Sequence, residues 1–327
     1  MDATPEARAR NSRWSRDPVI GGDGKPLAVY PTERDIEIFK LLARFRYLPA
    51  DYIHAFVGGN EKALSHRLNL LSRKPNLYLA RPTQQRQRAD ANYRPLIYEL
   101  DERGVRLLRE RGLAVAPNGY RRNFAHELMI AQITASIELG TRANPTIRLI
   151  GWAEIVAKES TPAALRKSAI PTAVSVAYRF RGQTRTEQII ADARPFGLER
   201  VIDRARSYLF FPGIEADCGT EPVDTGDPER SSIARKFSAY LAIAEQGLHR
   251  SHFGFPNFFV PFVTTSAVRT RSMMELLDRL TDGRGSKILL FKTFPSFASA
   301  EKPPAPSGHM LTEPWQRVGF PPLSLDR

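Results

Sequence analysis

The first third of the chain has apolar residues at helical spacing in successive segments, and this pattern most constrains its fold. In the first segment Ile36, Phe39 and Leu42 recur every three residues, which predicts an amphipathic helix. Thr32 precedes this segment as a helix N-cap, and Asp35 stands where the acid of a capping box belongs. The sequence therefore predicts that the folded part of the chain begins with a capped helix.

Two further helices and a two-stranded ribbon are predicted next. The helices cover 50–56 and 61–73, the strands cover 77–81 and 95–100, and another helix covers 101–111. Three helices followed by a ribbon is the order of a winged helix-turn-helix. In that fold the third helix enters the major groove, and the ribbon loop reaches the DNA backbone or the minor groove.

Polar side chains of the third helix and the ribbon loop are the predicted DNA contacts. Leu64, Leu68 and Leu71 form the buried stripe of this helix, which leaves its basic and polar residues on other faces. Arg and Asn side chains can bond base edges and phosphates. The alternative is that these are solvated residues of a module that binds protein. The predicted DNA-binding residues are Lys62, Ser65, Arg67, Asn69, Arg73, Arg86 and Arg88.

The net charge of +13 is unevenly distributed. Residues 1–122 hold 23 Lys and Arg against 14 Asp and Glu, whereas the remaining residues hold 25 against 21. A basic first third indicates a polyanionic partner, and double-stranded DNA is the partner we predict. A solvated basic surface without such a partner is the alternative.

Composition and missing motifs exclude several classes of protein. The single Cys218 rules out an intramolecular disulfide. No apolar stretch approaches the roughly 20 residues that span a bilayer, and the Arg-rich N-terminus lacks the apolar segment of a signal peptide. We therefore expect a cytoplasmic protein with no membrane partner. The sequence has neither the phosphate loop of ATPases nor a Gly-x-Ser-x-Gly motif.

The second part of the chain is predicted to be an α/β domain around a mixed sheet. Its predicted helices cover 123–140, 231–246 and 271–281, and its predicted strands cover 147–152, 173–180, 187–192, 208–215, 258–264 and 287–291. The predicted organisation is a flexible basic arm at 1–30, a winged-helix domain at 31–116, the α/β domain at 120–293 and an irregular Pro-rich tail at 294–327. A Phe-rich run between Phe253 and Phe262 is expected to be buried strand.

Acidic residues follow two apolar runs of this second domain. Asp192 closes one run and Glu215 closes the next, an arrangement by which neighbouring strands can hold a divalent cation. Asp217 shares the face of Glu215 by the period of two, and Lys236 could point back to the sheet from the following helix. The predicted catalytic residues, if the domain cleaves DNA, are Asp192, Glu215, Asp217 and Lys236. The predicted ligands of a Mg²⁺ ion are Asp192, Glu215 and Glu127.

A structural role for these acids stays open at this point. Glu215 or Glu221 could simply pair with nearby Arg235 or Lys236. Tyr240 follows Lys236 by four residues, so the two would share one helix face, with Tyr240 in the core. Cys218 is expected to be a small buried residue without a redox role.

These motifs, in this order, resemble the replication-relaxation family over about residues 31–292. The resemblance is carried by Thr32-Glu33-Arg34-Asp35, the Leu-rich third helix, His126-Glu127-Leu128, Ala191-Asp192-Ala193, Glu215-Ala216-Asp217-Cys218-Gly219-Thr220-Glu221, and Lys236 with Tyr240. Such proteins belong to plasmids and other mobile elements. The resemblance implies an N-terminal winged helix and a C-terminal domain similar to the PD-(D/E)xK, restriction-endonuclease-like fold.

The resemblance implies DNA binding in replication, relaxation or mobilisation, and leaves cleavage open. A working PD-(D/E)xK site has a lysine two residues after the strand acid, where this chain has Asp217. An active Mg²⁺-dependent endonuclease is one alternative function. A winged-helix transcription regulator, whose second domain dimerises or senses a ligand, is another. Plasmid replication or relaxation proteins and a second copy of the chain are the expected protein partners.

Overall fold

The computed structural model describes residues 13–113, 115, 123–167, 172–225, 227, 230–295 and 305–327. Contacts divide the chain into two units, Met1–Ala135 and Ser136–Arg327. The predicted domain boundary at 117–119 and the first twelve residues of the predicted arm lie outside the described residues. Helices alternate with several small sheets, which confirms the predicted α/β class.

The helices of the first unit are those that the apolar spacing predicts. They are α1 (Glu33–Phe45), α2 (Ala50–Val57), α3 (Glu61–Leu71) and α4 (Glu102–Glu110). A longer helix, α5 (Phe124–Ala143), begins in the first unit and ends in the second. The predicted apolar stripes of α1 and α3 are buried.

The capping box predicted at the start of α1 is present. The Thr32 hydroxyl accepts a hydrogen bond from the backbone N–H of Asp35, and an Asp35 carboxylate oxygen accepts one from the backbone N–H of Thr32 at 2.7 Å. Two N–H groups that the helix itself leaves unbonded are thereby satisfied. This cap fixes where α1 begins.

Three short strands complete the first unit. They are β1 (Leu48–Pro49), β2 (Leu79–Ala80) and β3 (Ile97–Leu100), which pair antiparallel in the order β1-β3-β2. Two 3₁₀ turns, Thr83–Gln87 and Ala91–Tyr93, join β2 to β3. The ribbon predicted after α3 is therefore present, with strands shorter than predicted, and β1 adds a strand that the sequence pattern did not predict.

In the second unit, α5 is followed by strand β4 (Ile147–Ile150), which the sequence predicts. Two short helices come next, α6 (Trp152–Ala157) and α7 (Ala163–Lys167), and the sequence pattern did not predict them. A long hairpin follows, made of β5 (Ala173–Phe180) and β6 (Gln183–Ile190). A second hairpin, β7 (Phe196–Ile202) and β8 (Ala205–Phe211), pairs with β4 in the antiparallel order β4-β7-β8.

A parallel sheet forms the rest of this unit. Its strands are β9 (Glu215–Asp217), β10 (Val260–Thr264) and β11 (Leu289–Thr293), in the order β11-β10-β9. Helix α8 (Ile233–Glu245) and the short α9 (Leu248–Ser251) connect β9 to β10, and α10 (Ala267–Leu280) connects β10 to β11. Phe237 of α8 packs edge-on against Phe262 and Phe291, with ring centroids 4.8 and 5.6 Å apart.

The single strand predicted at 208–215 is wrong, because the chain breaks between β8 and β9. Pro212 lacks an N–H, and Gly213 has a φ of 154°. A Cβ on Gly213 would lie 2.4 Å from the Cβ of Ala191 and 2.5 Å from the carbonyl oxygen of Ala193. The close approach requires glycine. It sends β9, and with it Glu215, into a different sheet from β8.

Aromatic and C-terminal residues complete the core. Four of the five phenylalanines between Phe253 and Phe262 are buried, as predicted, although the strand begins only at Val260. Residues 305–327 contain one short helix, α11 (His309–Thr312), and bury Trp315 completely. This segment is as irregular as its proline content predicts, yet it packs onto β11.

Candidate functional site

Glu215, the first residue of β9, is the buried centre of the predicted acidic set. Only 2% of its surface is exposed. The Lys236 ammonium donates a hydrogen bond to one carboxylate oxygen at 2.9 Å, and the Tyr240 hydroxyl donates one to the other oxygen. The predicted shared helix face of Lys236 and Tyr240 is thus confirmed, and each Glu215 oxygen has a hydrogen-bond donor.

Asp192 lies beside Glu215, just beyond the end of β6. Its backbone N–H donates to the carbonyl of Ile214 at 3.0 Å, and its carboxylate accepts from the N–H of Ala216 at 2.9 Å. These two bonds hold Asp192 against the residues on both sides of Glu215. The structure therefore brings together the two acids that close the apolar runs.

Lys236 also contacts a third acid. Its ammonium lies 3.0 Å from a carboxylate oxygen of Glu221, whose other oxygen accepts a hydrogen bond from the Ser231 hydroxyl. One lysine thus bridges Glu215 and Glu221, the pairing that the structural alternative predicts. We call Asp192, Glu215, Glu221, Lys236 and Tyr240 the carboxylate–lysine cluster.

Asp217 has a separate set of partners. The Arg269 guanidinium, from α10, donates to both of its carboxylate oxygens, one of them at 2.9 Å. The Thr264 hydroxyl of β10 donates to one oxygen at 2.8 Å, and the Gly219 N–H donates to the other at 3.0 Å. Asp217 therefore fastens β9 to β10 and α10. Arg269 and Thr264 were missed by the sequence analysis, since only the parallel pairing of β9 with β10 brings them there.

Burial and neighbouring charges set the protonation of the cluster. Burial, together with the charge of Asp192, raises the pKa of Glu215 to about 6, although Lys236 opposes this shift. Burial alone would lower the pKa of Lys236, but Glu215, Asp192 and Glu221 outweigh it and raise that pKa above its usual value. Lys236 is therefore a permanent cation.

Tyr240 of the cluster and the nearby Cys218 keep their protons at neutral pH. Burial and the adjacent Glu215 carboxylate raise the pKa of Tyr240 well above its usual value, so the phenol remains a donor. Burial and nearby acids raise the pKa of Cys218 to about 12. Cys218 is only partly buried, whereas the sequence predicts a buried residue, and its raised pKa keeps it in the thiol form at neutral pH.

The structure does not bring the predicted metal ligands together as a set of three. Glu127 belongs to the first unit, where its carboxylate lies 3.7 Å from a guanidinium nitrogen of Arg46. Throughout the described part of the chain, no group of three or more His, Cys, Asp and Glu residues is placed to hold a metal ion. A cation shared by Asp192 and Glu215 would have to compete with the Lys236 ammonium. Mg²⁺ binding remains a prediction.

In the first unit, the predicted DNA contact Arg67 bonds other groups of the same unit. Its guanidinium donates to both oxygens of Asp35, the shorter bond being 2.7 Å, and to the carbonyl of Tyr30 at 2.8 Å. Asp35 is 1% exposed. Burial would raise the pKa of Asp35, but the hydrogen bonds from Arg67 and Thr32 outweigh it and hold that pKa below its usual value. Arg67 thus stabilises the first turn of α1 from α3.

Some of the other predicted DNA contacts bond side chains of the protein, and others are exposed on its surface. Arg73 bonds the Asn69 side chain at 2.9 Å, and Arg88 bonds Asp90 at 2.8 Å. Arg86 donates to the carbonyl of Trp14 at 3.0 Å but keeps an exposed side chain. Lys62 and Ser65 are exposed on α3, next to His66, which is exposed as well.

Together these features define a mixed α/β protein with a small basic helical unit and a second unit built around a buried carboxylate–lysine cluster. The replication-relaxation family matches residues 39–257, more than half of the chain, so the protein belongs to that family. No curated protein and no solved structure matches this chain. In the described regions, no helix has the length and apolar character needed to cross a membrane.

Proposed function

We propose that this protein binds double-stranded DNA of a plasmid or other mobile element during replication or relaxation. Its first unit acts as a winged helix, and its second unit as a nuclease-like domain that holds DNA or partner proteins without cutting. The family assignment supports the setting. The single cysteine fits a reducing compartment, which supports a cytoplasmic protein.

The observation that carries this proposal is the exposed face of α3 within the first unit. Helices α1 to α3, followed by the β2–β3 ribbon, have the order of a winged helix. Lys62, Ser65 and His66 point outward from α3. Residues 13–113 contain 19 Lys and Arg against 12 Asp and Glu, so the unit that carries this helix has a net positive charge, which favours a polyanion.

A fluorescence-anisotropy titration with labelled duplex DNA tests this proposal. Lys62→Ala should weaken binding and lower its salt dependence, because one phosphate contact is lost. Lys40→Ala is the matched control, since Lys40 is an exposed lysine of α1 that pairs with Glu37 at 2.7 Å. Equal DNA affinities of the wild type and Lys62→Ala would contradict the proposed contact between α3 and DNA.

A Mg²⁺-dependent endonuclease is the second candidate, and the convergence of Asp192, Glu215 and Lys236 is what favours it. Against it, both oxygens of Glu215 already bond protein donors, and Asp217 is neutralised by Arg269. We therefore assign the cluster a structural role.

Supercoiled plasmid incubated with the protein and Mg²⁺ or Mn²⁺ separates the two functions. The structural assignment predicts no nicking, together with retained affinity for the plasmid. Nicking by the wild type that disappears in Asp192→Ala would establish the endonuclease instead. The control is Asp278→Ala, which removes an exposed acid of α10.

A further inference from the structure

The hairpin of β5 and β6 has two faces of different character. Its strands pair in register from Ala173 with Ile190 to Phe180 with Gln183, and Arg181 and Gly182 form a tight turn with positive φ angles. The inner side chains of β5 are buried in the core cluster that also contains residues of α8, and they are Val174, Val176, Tyr178 and Phe180. The core thus fixes the orientation of the hairpin.

The outer face of the hairpin is exposed and mostly polar, and the two strands contribute no acid to it. Cross-strand pairs on this face join Ser175 to Gln188, Ala177 to Thr186 and Arg179 to Thr184. All six side chains are exposed. The only acid in the two strands, Glu187, belongs to the opposite face, where its carboxylate bonds Arg235 of α8 at 2.7 Å.

This composition fits a nucleic acid better than a protein partner. The cores of protein interfaces are enriched in aromatic and apolar side chains, whereas hydroxyl, amide and guanidinium groups make up most of this face, with Ala177 and Ile190 as its exposed apolar residues. An arginine without a neighbouring acid on the same face favours a polyanion. The edge of β5 is also partly protected, because the Gln246 side chain donates to the carbonyl of Ala177, which hinders pairing with a strand of another copy.

The dimensions of the hairpin fit the major groove of DNA. Eight residues per strand give a length of about 26 Å at roughly 3.3 Å per residue. The major groove of B-DNA, about 12 Å wide, admits a two-stranded ribbon. Gln188 and Arg179 have the side chains that bond adenine and guanine edges respectively, and Thr184 and Thr186 can contact either bases or phosphates.

We infer that the outer face of the β5–β6 hairpin lies in the major groove of duplex DNA and reads base sequence through Arg179 and Gln188. This inference rests on the proposed DNA-binding function and adds a second, sequence-reading contact in the second unit. The rigid backing of the hairpin by α8 presents both side chains without a cost of folding on binding.

Selection of binding sites from a randomised pool of duplex DNA tests this inference. Wild type, Arg179→Lys, Gln188→Ala and the control Arg271→Ala, an exposed arginine of α10, are compared. Gln188→Ala should lose the preference at one position of the selected site and about tenfold in affinity for that site. Arg179→Lys should keep its affinity for unrelated duplexes but lose a guanine preference, because lysine lacks the planar fork of arginine.

The outcomes also separate this inference from the proposed function. If both hairpin variants select the wild-type site with wild-type affinity while Lys62→Ala binds weakly, the hairpin inference is overturned and the proposed function stands. If wild type binds no duplex, both fail. A change in oligomeric state in sedimentation, with unchanged DNA selection, would assign the hairpin face to a second copy of the chain and also overturn the inference.

Discussion

At the scale of single residues, two buried carboxylates determine much of the behaviour of the molecule. Glu215 and Asp35 are both almost fully enclosed, and each is matched by one long basic side chain, Lys236 or Arg67. A buried ion pair adds little net stability compared with an apolar pair. Removal of one partner, however, leaves an uncompensated charge. Substitutions at the basic partner are therefore the informative ones.

Lys236→Ala should destabilise the protein by about 3 kcal/mol, because it leaves Glu215 buried without its cation. Urea unfolding measures this change. The control Lys40→Ala breaks an exposed pair and should cost less than about 1 kcal/mol. Adding Glu215→Gln to Lys236→Ala should recover part of the loss, since the double variant no longer buries the charge of Glu215. If Lys236→Ala leaves the free energy of unfolding unchanged, the assigned contacts of Lys236 are contradicted.

Arg67→Ala should lower the stability of the first unit by about 3 kcal/mol, because Asp35 then lacks its main partner. Thermal unfolding of this variant is compared with that of Lys62→Ala, which removes an exposed side chain and should change stability by less than about 0.5 kcal/mol. If Arg67→Ala instead unfolds like the wild type and loses DNA affinity, Arg67 is a DNA contact, as its place in the third helix predicts.

Sequence spacing predicts contacts within one helix better than contacts between distant segments. The interval from Lys236 to Tyr240 predicts that both lie on one helix face, and in the structure both side chains bond Glu215. The Arg269–Asp217 pair could not be predicted, because it depends on which strands pair and in which direction. The same limit applies to Arg67, whose partner Asp35 lies in another helix.

At the scale of elements, the break between β8 and β9 decides where the acidic residues lie. An apolar run that continues through Pro212 and Gly213 predicts one strand, because periodicity alone does not show that the chain changes sheets. The structure ends β8 at Phe211 and begins β9 at Glu215. Among the other elements of the second unit, α8, β10 and β11 lie within two residues of their predicted bounds, whereas β6 and α10 each begin four residues before their predicted start. Strand β7 was not predicted.

Gly213→Ala should destabilise the second unit by about 3 kcal/mol, since the new Cβ would meet Ala191 and Ala193 at an unfavourable φ. Gly182→Ala is the matched control: its φ is 80°, but nothing lies within 4 Å of the added Cβ. The control reports the cost of a positive φ without a steric contact, about 1 kcal/mol. Equal unfolding midpoints for the two variants would show that the contact with Ala191 is absent.

Lys292 links β11 to the C-terminal segment and should make stability depend on pH. Its ammonium donates to the carbonyls of His309 and Glu313 at 3.0 and 2.7 Å. Burial lowers the pKa of Lys292 to about 8 from 10.5, although the carboxylates of Glu313 and Asp326 oppose the shift. Between these two values the unfolded chain holds the proton and the folded chain does not, so stability rises with pH.

Urea unfolding at a series of pH values checks this expectation. Relative to Lys292→Met, the wild type should gain stability as the pH rises from about 8 towards 10.5. Below that range the difference in the free energy of unfolding between the two proteins should stay constant. Lys287→Met is the control, because Lys287 is an exposed lysine of the same unit. A constant difference between wild type and Lys292→Met across the range would contradict the buried position of the ammonium.

At the scale of the whole molecule, a basic unit that precedes a mixed α/β unit could be predicted from charge and apolar periodicity. The family assignment agrees with the resemblance of the motifs. The pairing of Glu215 and Glu221 with Lys236 was one of two open alternatives in the sequence, whereas the contacts of Asp217 with Thr264 and Arg269 could not be predicted, because they depend on the parallel pairing of β9 with β10. For the same reason, the sequence analysis could not separate a nuclease-like domain that cuts from one that only binds.

The most direct test of the central claim is the affinity of the full chain for labelled duplex DNA over a series of salt concentrations. DNA binding through a basic surface predicts a logarithmic plot of affinity against salt with a clearly negative slope, because each phosphate contact releases about one counterion. No binding at low salt, or an affinity that does not change with salt, would contradict the claim.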